Sequence, residues 1–424
     1  MSHIALVCPE LSGHTNPMTT LGRELQRRGH RVTLFGKPDG RGKAESAGLG
    51  FHPIGAAEYP PGSLAEFTAQ LGRLNGRAAM RLTLQHIART ADTLLDEGLT
   101  ALRSEQVDLV LVDQVSFPAG TVAEKLGLPF ISICNALILN QEPGVPPAVS
   151  PWSYRDTWWA RCRNRAGYAA IKLLAGNVRR VIEARRRAWR LPPYRELDGH
   201  FSSLAQISQQ PPGFEFPRRG LPACFHFAGP FHSLADREPA PFPFEELTGR
   251  PLIYASMGTL QNRLSHVFPT IAAACVGLDA QLVIALGGAD PAELPALPGS
   301  PLIVRFAPQL ELLSRAALTI THAGLNTTLE SLANGVPLVA IPITNDQPGV
   351  AARLTWTGAG DVVPLARLNV ARLRQSIEHV LQDASFRQQA VQLQREIAAS
   401  SGARRAADII EQVAATGQPV LRAT

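Results

Sequence analysis

The chain has 424 residues, of which 45% are hydrophobic and 18% are charged, and its formal net charge is +6 at pH 7. This composition predicts a folded globular protein, and the length predicts two domains of about 200 residues each. A basic protein could bind nucleic acid, an anionic membrane surface or a phosphate-bearing substrate; nucleic acid fits least, because the sequence has no zinc-finger spacing and no aromatic RNA-binding motif.

The cysteine residues predict no disulfide framework and no metal site. Cys8, Cys134, Cys162, Cys224 and Cys275 are odd in number and widely spaced, and no Cys-x-x-Cys pair occurs. We expect small buried side chains, which fits a reducing cytoplasm. The N-terminus lacks the features of a signal peptide, and no run reaches about 18 apolar residues. The expectation is a cytoplasmic protein without a transmembrane segment.

The N-terminal segment has the pattern of a β-α-β unit. Residues 4–8 form a buried strand, residues 9–16 a loop, and Pro17 opens a predicted helix that continues to about Arg28. A second strand follows at residues 31–35, which completes the unit.

His14 is the candidate functional residue of this first loop. It lies just beyond the carboxyl end of the first strand, where catalytic groups collect in open α/β sheets. A single loop histidine is more often solvated than catalytic, so the residue alone leaves both roles open. The loop has one glycine, Gly13, and therefore lacks the three-glycine fingerprint of a dinucleotide-binding enzyme.

Two further strands are predicted before the middle of the chain, after a helical stretch at residues 63–101. Residues 108–112 form one strand, which ends in Asp113, and residues 130–134 form the other. A carboxylate in the position of Asp113 could cap the next turn or act on a neighbouring group.

Residues 140–190 begin with a Pro-rich loop and continue with aromatic and basic side chains. Trp152, Tyr154, Trp158 and Trp159 are followed by a series of arginines. A helix at a membrane surface has this composition, and so does a solvated helix pair over an apolar cleft. We favour the helix pair, because arginine side chains can extend over packed helices, but a peripheral membrane contact stays open.

The second half opens after a linker rich in proline and charge, residues 231–247. A strand at residues 252–256 delivers Gly258 and Thr259 into a turn. Other strands are predicted at residues 205–208, 224–228, 281–286 and 302–306.

Residues 306–347 contain a strand, a tight turn and a helix. The strand stops at His322 and Gly324, and a helical pattern begins near Asn326. A helix N-terminus offers free N–H groups and the positive end of the helix dipole, so it can hold a phosphate without a metal.

Several polar side chains lie close to this predicted helix. The hydroxyl of Thr327 could add a donor beside the amides, and Glu330 is placed to accept hydrogen bonds from a ribose. Asp346 and Gln347 follow the next strand, and a carboxylate beside an amide suits sugar hydroxyls.

These residues together resemble the donor-binding signature of nucleotide-sugar-dependent glycosyltransferases, in particular the bacterial branch with zeaxanthin and macrolide glucosyltransferases. The matching positions are Phe306, Pro308-Gln309, His322-Ala323-Gly324, Glu330, Gly335-Val336-Pro337 and Asp346-Gln347. Two positions depart from plant members: Phe306 replaces a tryptophan, and Arg315 replaces a histidine that many of them carry. The N-terminal Gly13-His14-Thr15-Asn16-Pro17 also matches the family.

The resemblance implies the fold, an α/β architecture of two Rossmann-like doubly wound domains that face a cleft, the glycosyltransferase-B type. The implied divisions are an acceptor domain at residues 1–230, the linker at 231–247, a donor domain at 248–402, and a C-terminal helix at 403–424 that packs back on the first domain.

The resemblance also implies the site residues. The donor would be bound by Gly258, Thr259, Phe306, Ala307, Gln309, His322, Gly324, Asn326, Thr327, Glu330, Asp346 and Gln347. The acceptor, an apolar molecule with a hydroxyl group, would be bound by Asn135, Leu139, Trp152 and Trp158. His14 would be the general base, with Asp113 fixing its tautomer.

The expected activity is inverting hexose transfer, without a metal or a cofactor, from UDP-glucose as co-substrate to a carotenoid, phenolic or polyketide. A thymidine nucleotide stays open as donor because Phe306 is smaller than tryptophan. Two alternatives are a nucleotide-sugar epimerase of the same architecture and a non-catalytic nucleotide-sugar-binding protein. The sequence has no signal for an oligomeric state.

Overall fold

The computed structural model describes residues 1–71, 74, 76–232, 240–258 and 267–422. The first sheet contains β1 (His3–Val7), β2 (Arg31–Gly36), β3 (Gly50–Pro53), β4 (Leu109–Asp113), β5 (Phe130–Cys134), β6 (Gln206–Ser208) and β7 (Phe225–Phe227). The second contains β8 (Leu252–Ser256), β9 (Gln281–Ala285), β10 (Leu302–Val304), β11 (Ala316–Thr321), β12 (Leu338–Ala340) and β13 (Gly360–Val362). Of the predicted linker, residues 233–239 lie outside the described part.

The α-helices cover both sheets. In the first half they are α1 (Ser12–Arg27), α2 (Arg41–Ser46), α3 (Ser63–Leu71), α4 (Gly76–Ser104), α5 (Pro118–Leu126), α6 (Trp158–Leu174) and α7 (Gly176–Ala188). In the second half they are α8 (Val267–Cys275), α9 (Gln309–Leu313), α10 (Leu325–Ala333), α11 (Gln347–Thr357), α12 (Val370–Gln382), α13 (Ala384–Ser400) and α14 (Ala403–Thr416). Among the described residues, every helix is too short or too polar to cross a bilayer.

The first sheet has the strand order β3-β2-β1-β4-β5-β6-β7, and neighbouring strands are parallel. The strands β1, β4 and β5 are buried at every position, as expected for short apolar runs that have helices on both faces. The winding direction reverses between β1 and β4. In doubly wound sheets ligands bind at the carboxyl ends of the strands at such a reversal.

The second sheet repeats this arrangement in the order β10-β9-β8-β11-β12-β13, again with parallel neighbours. Its winding direction reverses between β8 and β11. The prediction of two Rossmann-like doubly wound domains is confirmed. Each domain therefore has one crevice at the carboxyl edge of its sheet, and the described residues that directly follow β1, β4, β8 and β11 lie at these crevices.

The start of α1 differs from the sequence prediction. We predicted a loop up to Asn16 and a helix from Pro17, whereas α1 begins at Ser12 and Pro17 lies inside it. A proline has no N–H for the carbonyl group four residues earlier, which here belongs to Gly13. The side chain of Asn326 takes that place, since its Nδ2 donates to the Gly13 carbonyl oxygen at 2.9 Å. His14 thus lies in the first turn of a helix and not in a loop.

The last helix, α14, packs against the first domain. Its buried side chains share a hydrophobic core with residues of β1 and α1; they are Ala406, Ala407, Ile409, Ile410 and Val413. At the end of α1, Arg28 donates to Asp408 at 2.6 Å and to Glu411 at 2.7 Å. The backbone N–H of Val420 then donates to the carbonyl oxygen of Leu204 at 2.9 Å. The end of the chain is therefore part of the first domain's core.

A buried ion pair joins the two domains. Arg353 of α11 donates to Oε1 of Glu215 through Nε at 3.0 Å and Nη2 at 2.6 Å, and the two side chains are 0% and 1% exposed. Arg218 lies 3.4 Å from the same oxygen. Burial raises the pKa of Glu215, but the charges of Arg353 and Arg218 outweigh it and lower the pKa from 4.5.

We expect Arg353→Met to lower the stability of the protein by about 3–5 kcal/mol, because it leaves a buried carboxylate with a single cationic neighbour. The loss would appear as lower thermal and denaturant midpoints. A carboxylate whose pKa is lowered by folding stabilises the fold above its unfolded-state pKa and loses this effect as the pH falls. The difference from wild type should therefore narrow below about pH 4.5.

The matched control is Arg41→Met, which removes an exposed pair with Glu45 on α2 at 3.2 Å. Such pairs contribute about 0.3–0.5 kcal/mol. Equal midpoints for the two variants would mean that the Arg353–Glu215 pair does not hold the domains together.

Candidate active site

His14 and Asp113 meet at the reversal point of the first sheet. His14 follows β1 in the first turn of α1, and Asp113 ends β4, so neighbouring strands bring them together. Nδ1 of His14 lies 2.8 Å from Oδ2 of Asp113. Because a carboxylate accepts hydrogen bonds, Nδ1 carries the proton and Nε2 keeps its lone pair. The imidazole is 15% exposed and can reach a ligand through Nε2.

Asp113 is fixed by two other donors. Its Oδ2 accepts from Nδ2 of Asn135 at 2.7 Å, and its Oδ1 accepts from the backbone N–H of Val115 at 2.9 Å. Oδ1 of Asn135 is buried and has no hydrogen-bond partner among the described residues. We predicted that Asn135 contacts the acceptor substrate. In the structure its NH₂ group orients the Asp113 carboxylate, and its amide oxygen is available to accept a hydrogen bond from a ligand.

The charges around His14 favour its protonated form. Burial lowers the pKa of the imidazole, while the charge of Asp113 and its hydrogen bond raise it, with smaller contributions from Asp346 and Glu10. The net effect is a pKa above 6.5. A histidine with a raised pKa is a stronger base, and the buried carboxylate stabilises the imidazolium that forms when it takes a proton.

In the second domain, His322 occupies the equivalent position after β11. A Cβ added to Gly258 would come within 2.7 Å of the His322 ring, and one added to Gly324 would come within 2.5 Å of its Nε2. Both positions therefore need glycine to accommodate the imidazole. Burial lowers the pKa of His322 to about 4, although a hydrogen bond with the Ser256 backbone raises it. Near neutral pH the ring is uncharged and has a single N–H, which the hydrogen bond with the Ser256 backbone occupies.

The turn from β11 into α10 presents the N-terminus of that helix to the crevice. Ala323 has φ 65°, a left-handed conformation that costs energy for a residue with a side chain and is found at functional sites. Gly324 is the N-cap, and no side chain caps the helix. The first N–H groups of α10 are thus suited to an anionic ligand.

Glu330 is held by Gln309, which we predicted as a donor contact. Nε2 of Gln309 donates to Glu330 at 2.5 Å and lies 3.4 Å from Oγ1 of Thr327. The amide oxygen of Gln309 accepts from the Tyr254 hydroxyl at 3.0 Å. Gln309 therefore orients the Glu330 carboxylate from within the protein.

Asp346 and Gln347 lie where α11 begins, next to the first domain. The oxygen of the Gln347 amide accepts from the backbone N–H groups of Ile343 and Thr344, both at 2.9 Å, so a ligand contact of Gln347 has to come from its NH₂ group. Oδ2 of Asp346 accepts from the backbone N–H of Leu137 at 3.4 Å. Burial raises the pKa of Asp346, and the charge of His14 lowers it.

Asn326 connects the two crevices. Its Nδ2 donates to the Gly13 carbonyl oxygen, and its Oδ1 accepts from Nε2 of Gln209 at 2.8 Å. The sequence predicted Asn326 as a residue that binds the nucleotide-sugar donor. It predicted neither the hydrogen bond of Asn326 to Gly13 nor the contribution of Gln209. The signal for this hydrogen bond exists only once the start of α1 is known, because Pro17 then lies inside the helix and leaves one carbonyl group in need of a partner.

The other predicted residues lie in varied surroundings. Phe306 is 52% exposed, and Ala307 packs beside the core below β8. Leu139 is partly buried, and the Trp152 ring packs against Gly167 and the Arg163 guanidinium. Trp158 opens α6 and is 78% exposed. Thr259 lies outside the described residues. Their roles in binding stay predictions.

Comparison with known proteins identifies relatives along nearly the whole chain. The family model for UDP-glucoronosyl and UDP-glucosyl transferase matches residues 200–397. A zeaxanthin glucosyltransferase from Pantoea ananas is 38% identical over 99% of this chain and 98% of its own length. The 4'-demethylrebeccamycin synthase of Lentzea aerocolonigenes is 30% identical over 94% and 96%. The crystal structure of CalG4, the calicheamicin glycosyltransferase, has the same fold, with a TM-score of 0.74, 24% identity and coverage of 99% and 100%.

We expect Asp113→Asn to lower the pKa of His14. The variant keeps the shape of the side chain but removes the charge that opposes the effect of burial, so the imidazole would titrate at lower pH. An NMR pH titration of the ring protons measures this without any ligand. Asp290→Asn, at an exposed carboxylate in the second domain, is the control and should leave the His14 titration unchanged. If both variants titrate like wild type, Asp113 does not control the protonation of His14.

Proposed function

Because the chain belongs to the UDP-glucoronosyl and UDP-glucosyl transferase family and is a sugar-transferring enzyme, we propose that it transfers glucose from UDP-glucose to a hydroxyl group of an apolar small molecule, with inversion and without a metal. The observation that carries this proposal is the contact of His14 with Asp113 beside the N-terminus of α10. A base and a site for a leaving diphosphate are thus joined through Asn326.

In the proposed reaction, Nε2 of His14 removes the proton of the acceptor hydroxyl. The acceptor oxygen attacks the anomeric carbon, the bond from that carbon to the diphosphate oxygen breaks, and the nucleotide diphosphate leaves with the electron pair. Asp113 stabilises the imidazolium through the 2.8 Å hydrogen bond to Nδ1. A single displacement of this kind inverts the configuration at the anomeric carbon.

The leaving diphosphate gains negative charge as the bond breaks. The N–H groups of α10 and the Thr327 hydroxyl supply donors and a favourable dipole for it, which is the role that a metal ion has in other transferases. His322 would join them by turning its one N–H from the Ser256 backbone to the diphosphate. Glu330 would bind the ribose hydroxyls. Asp346 and the NH₂ group of Gln347 would bind sugar hydroxyls. We favour a uridine over a thymidine nucleotide, because the description of the matching family names UDP-dependent transferases.

The acceptor is proposed to be a hydroxylated carotenoid, phenolic or polyketide. The name of the Pantoea ananas relative states zeaxanthin, a carotenoid, and the second relative is named for a rebeccamycin, so the names of the relatives favour bulky apolar acceptors. The apolar residues that follow β5, including Leu137 and Leu139, support the same class. The two alternatives, a nucleotide-sugar epimerase and a non-catalytic nucleotide-sugar-binding protein, receive no support from these relatives, which are named as transferring or synthesising enzymes.

We expect wild type to give a product heavier by one hexose when UDP-glucose is combined with hydroxylated carotenoids, flavonoids and macrolides in the presence of EDTA, with detection by mass spectrometry. His14→Ala should reduce turnover by about 10²–10⁴-fold, since the general base is lost, while affinity for UDP-glucose stays nearly unchanged. In wild type, kcat/KM should fall on the acid side with a midpoint above pH 6.5.

The control for this experiment is His379→Ala, at an exposed histidine of α12. Turnover of the His14 variant close to that of the control would remove His14 from the mechanism. If UDP-glucose binds and no acceptor is glucosylated, the acceptor class is wrong. If EDTA abolishes transfer by wild type, the metal-free mechanism is wrong.

A second expectation concerns the ribose contact. Glu330→Ala should weaken binding of UDP-glucose by about 1–3 kcal/mol, because hydrogen bonds between a carboxylate and the ribose are lost. Isothermal titration calorimetry without acceptor measures this directly. Glu311→Ala, at an exposed position of α9, serves as the control. Unchanged affinity in the Glu330 variant would place the ribose elsewhere.

A further inference from the structure

Helix α6 contacts the rest of the first domain along one face. Ala160 and Asn164 are fully buried there, and Nδ2 of Asn164 donates to the carbonyl oxygen of Pro143 at 3.0 Å. One turn later the Tyr168 hydroxyl donates to the carbonyl oxygen of Val145 at 3.1 Å. This face rests on the loop that leads from β5 to α6, and these two hydrogen bonds fix the helix to that loop.

The opposite face of α6 is also apolar, although it is exposed. Trp158, Cys162, Ala166, Ala169 and Leu173 are separated by steps of four, four, three and four residues, which places them in one line along the helix. All five are exposed; Trp158 is 78% and Leu173 is 82% exposed. A solvated helix of a globular protein normally has polar side chains on this face.

The charge around this apolar line is strongly positive. Residues 155–190 contain eleven basic and two acidic residues, a net charge of +9, whereas the whole chain has +6. The remainder of the chain therefore has a net charge of −3. The basic character of the protein is concentrated in α6, α7 and the residues that adjoin them.

Some of these cations pair within the protein, and others face solvent. Arg186 pairs with Glu124 at 2.6 Å, and Arg185 pairs with Asp96. Arg165 and Lys172, which flank the apolar line on α6, are exposed and form no ion pair with any described residue; the same is true of Arg187 on α7. Folding thus leaves positive charge directly beside the exposed tryptophan and leucine.

We propose that this face of α6, which we call the α6 face (residues 158, 162, 165, 166, 169, 172 and 173), docks on the surface of an anionic lipid bilayer. Trp158 and Leu173 would enter the boundary between head groups and acyl chains, a depth that suits an amphipathic indole ring. Arg165 and Lys172 would remain at the level of the lipid phosphates.

A second copy of the chain fits this face less well than a lipid surface does. Contact between two α6 faces would bring two segments of net charge +9 together, and like charges across an interface cost free energy. Docking of the α6 face is independent of which sugar or acceptor the enzyme uses. Docking would bring the loop that follows β5 close to an apolar acceptor dissolved in the bilayer.

The test is flotation of the full chain with lipid vesicles, in which the unmodified protein binds vesicles of mixed phosphatidylcholine and phosphatidylglycerol, does not bind phosphatidylcholine alone, and is released by salt. Neutralising the flanking cations in Arg165→Gln/Lys172→Gln should reduce the partition coefficient about fivefold for each cation, or about 25-fold together. Trp158→Ser/Leu173→Ser should also reduce the partition coefficient, because the two apolar side chains that enter the bilayer are lost while the charge is unchanged.

The charge-matched control is Arg372→Gln/Arg387→Gln, which removes two exposed cations from α12 and α13 and should leave binding unchanged. The proposal is overturned if wild type fails to bind anionic vesicles at low salt, if neutral vesicles bind equally well, or if the α6 variants bind like the control. It is also overturned if light scattering shows a dimer that Trp158→Ser/Leu173→Ser converts to a monomer, because a second copy would then cover the α6 face.

Discussion

The carbonyl group of Gly13 fixes the relation between the two halves of the candidate active site. Pro17 cannot donate to it, so it accepts from the amide of Asn326, which is the second residue of α10. His14 is the next residue after this carbonyl group, and the N-terminus of α10 is the proposed diphosphate site. This hydrogen bond therefore links the proposed base directly to the proposed site of the leaving group. Gln209 holds the other end of the Asn326 amide, so the amide cannot rotate freely.

Each of the two domains has a histidine at the same place in its sheet, and the surroundings shift the pKa values of the two rings in opposite directions. His14 and His322 each follow the strand at which the winding direction reverses. A buried carboxylate raises the pKa of His14, which makes it a better base. At His322 burial dominates and lowers the pKa to about 4, so the ring stays neutral. Environment and not residue type decides which histidine is the stronger base and which stays neutral.

Local patterns in the sequence were sufficient for most of the architecture. Alternating strand-like and helical runs predicted parallel β-α-β units, and the resemblance to glycosyltransferases predicted the two doubly wound domains and the pairing of His14 with Asp113. The start of α1 was missed because Pro17 is a local signal for a first turn, and its tolerance inside the helix depends on Asn326, more than 300 residues later. The Glu215–Arg353 pair was out of reach for the same reason, because it exists only once the two domains have met. The role of Gln309 as a support for Glu330 depends on how α9 packs beside α10 within the second domain, which the sequence pattern does not give.

The return of α14 to the first domain has a consequence for biosynthesis. Its side chains complete the core around β1 and α1, and Arg28 bonds to Asp408 and Glu411 across almost the entire chain length. Domains generally fold as units in the order in which the ribosome releases them. Here the first domain to emerge is the last to be finished, because its closing helix is made after the whole second domain. Until α14 has been made, the nascent first domain exposes the apolar groove that α14 will fill.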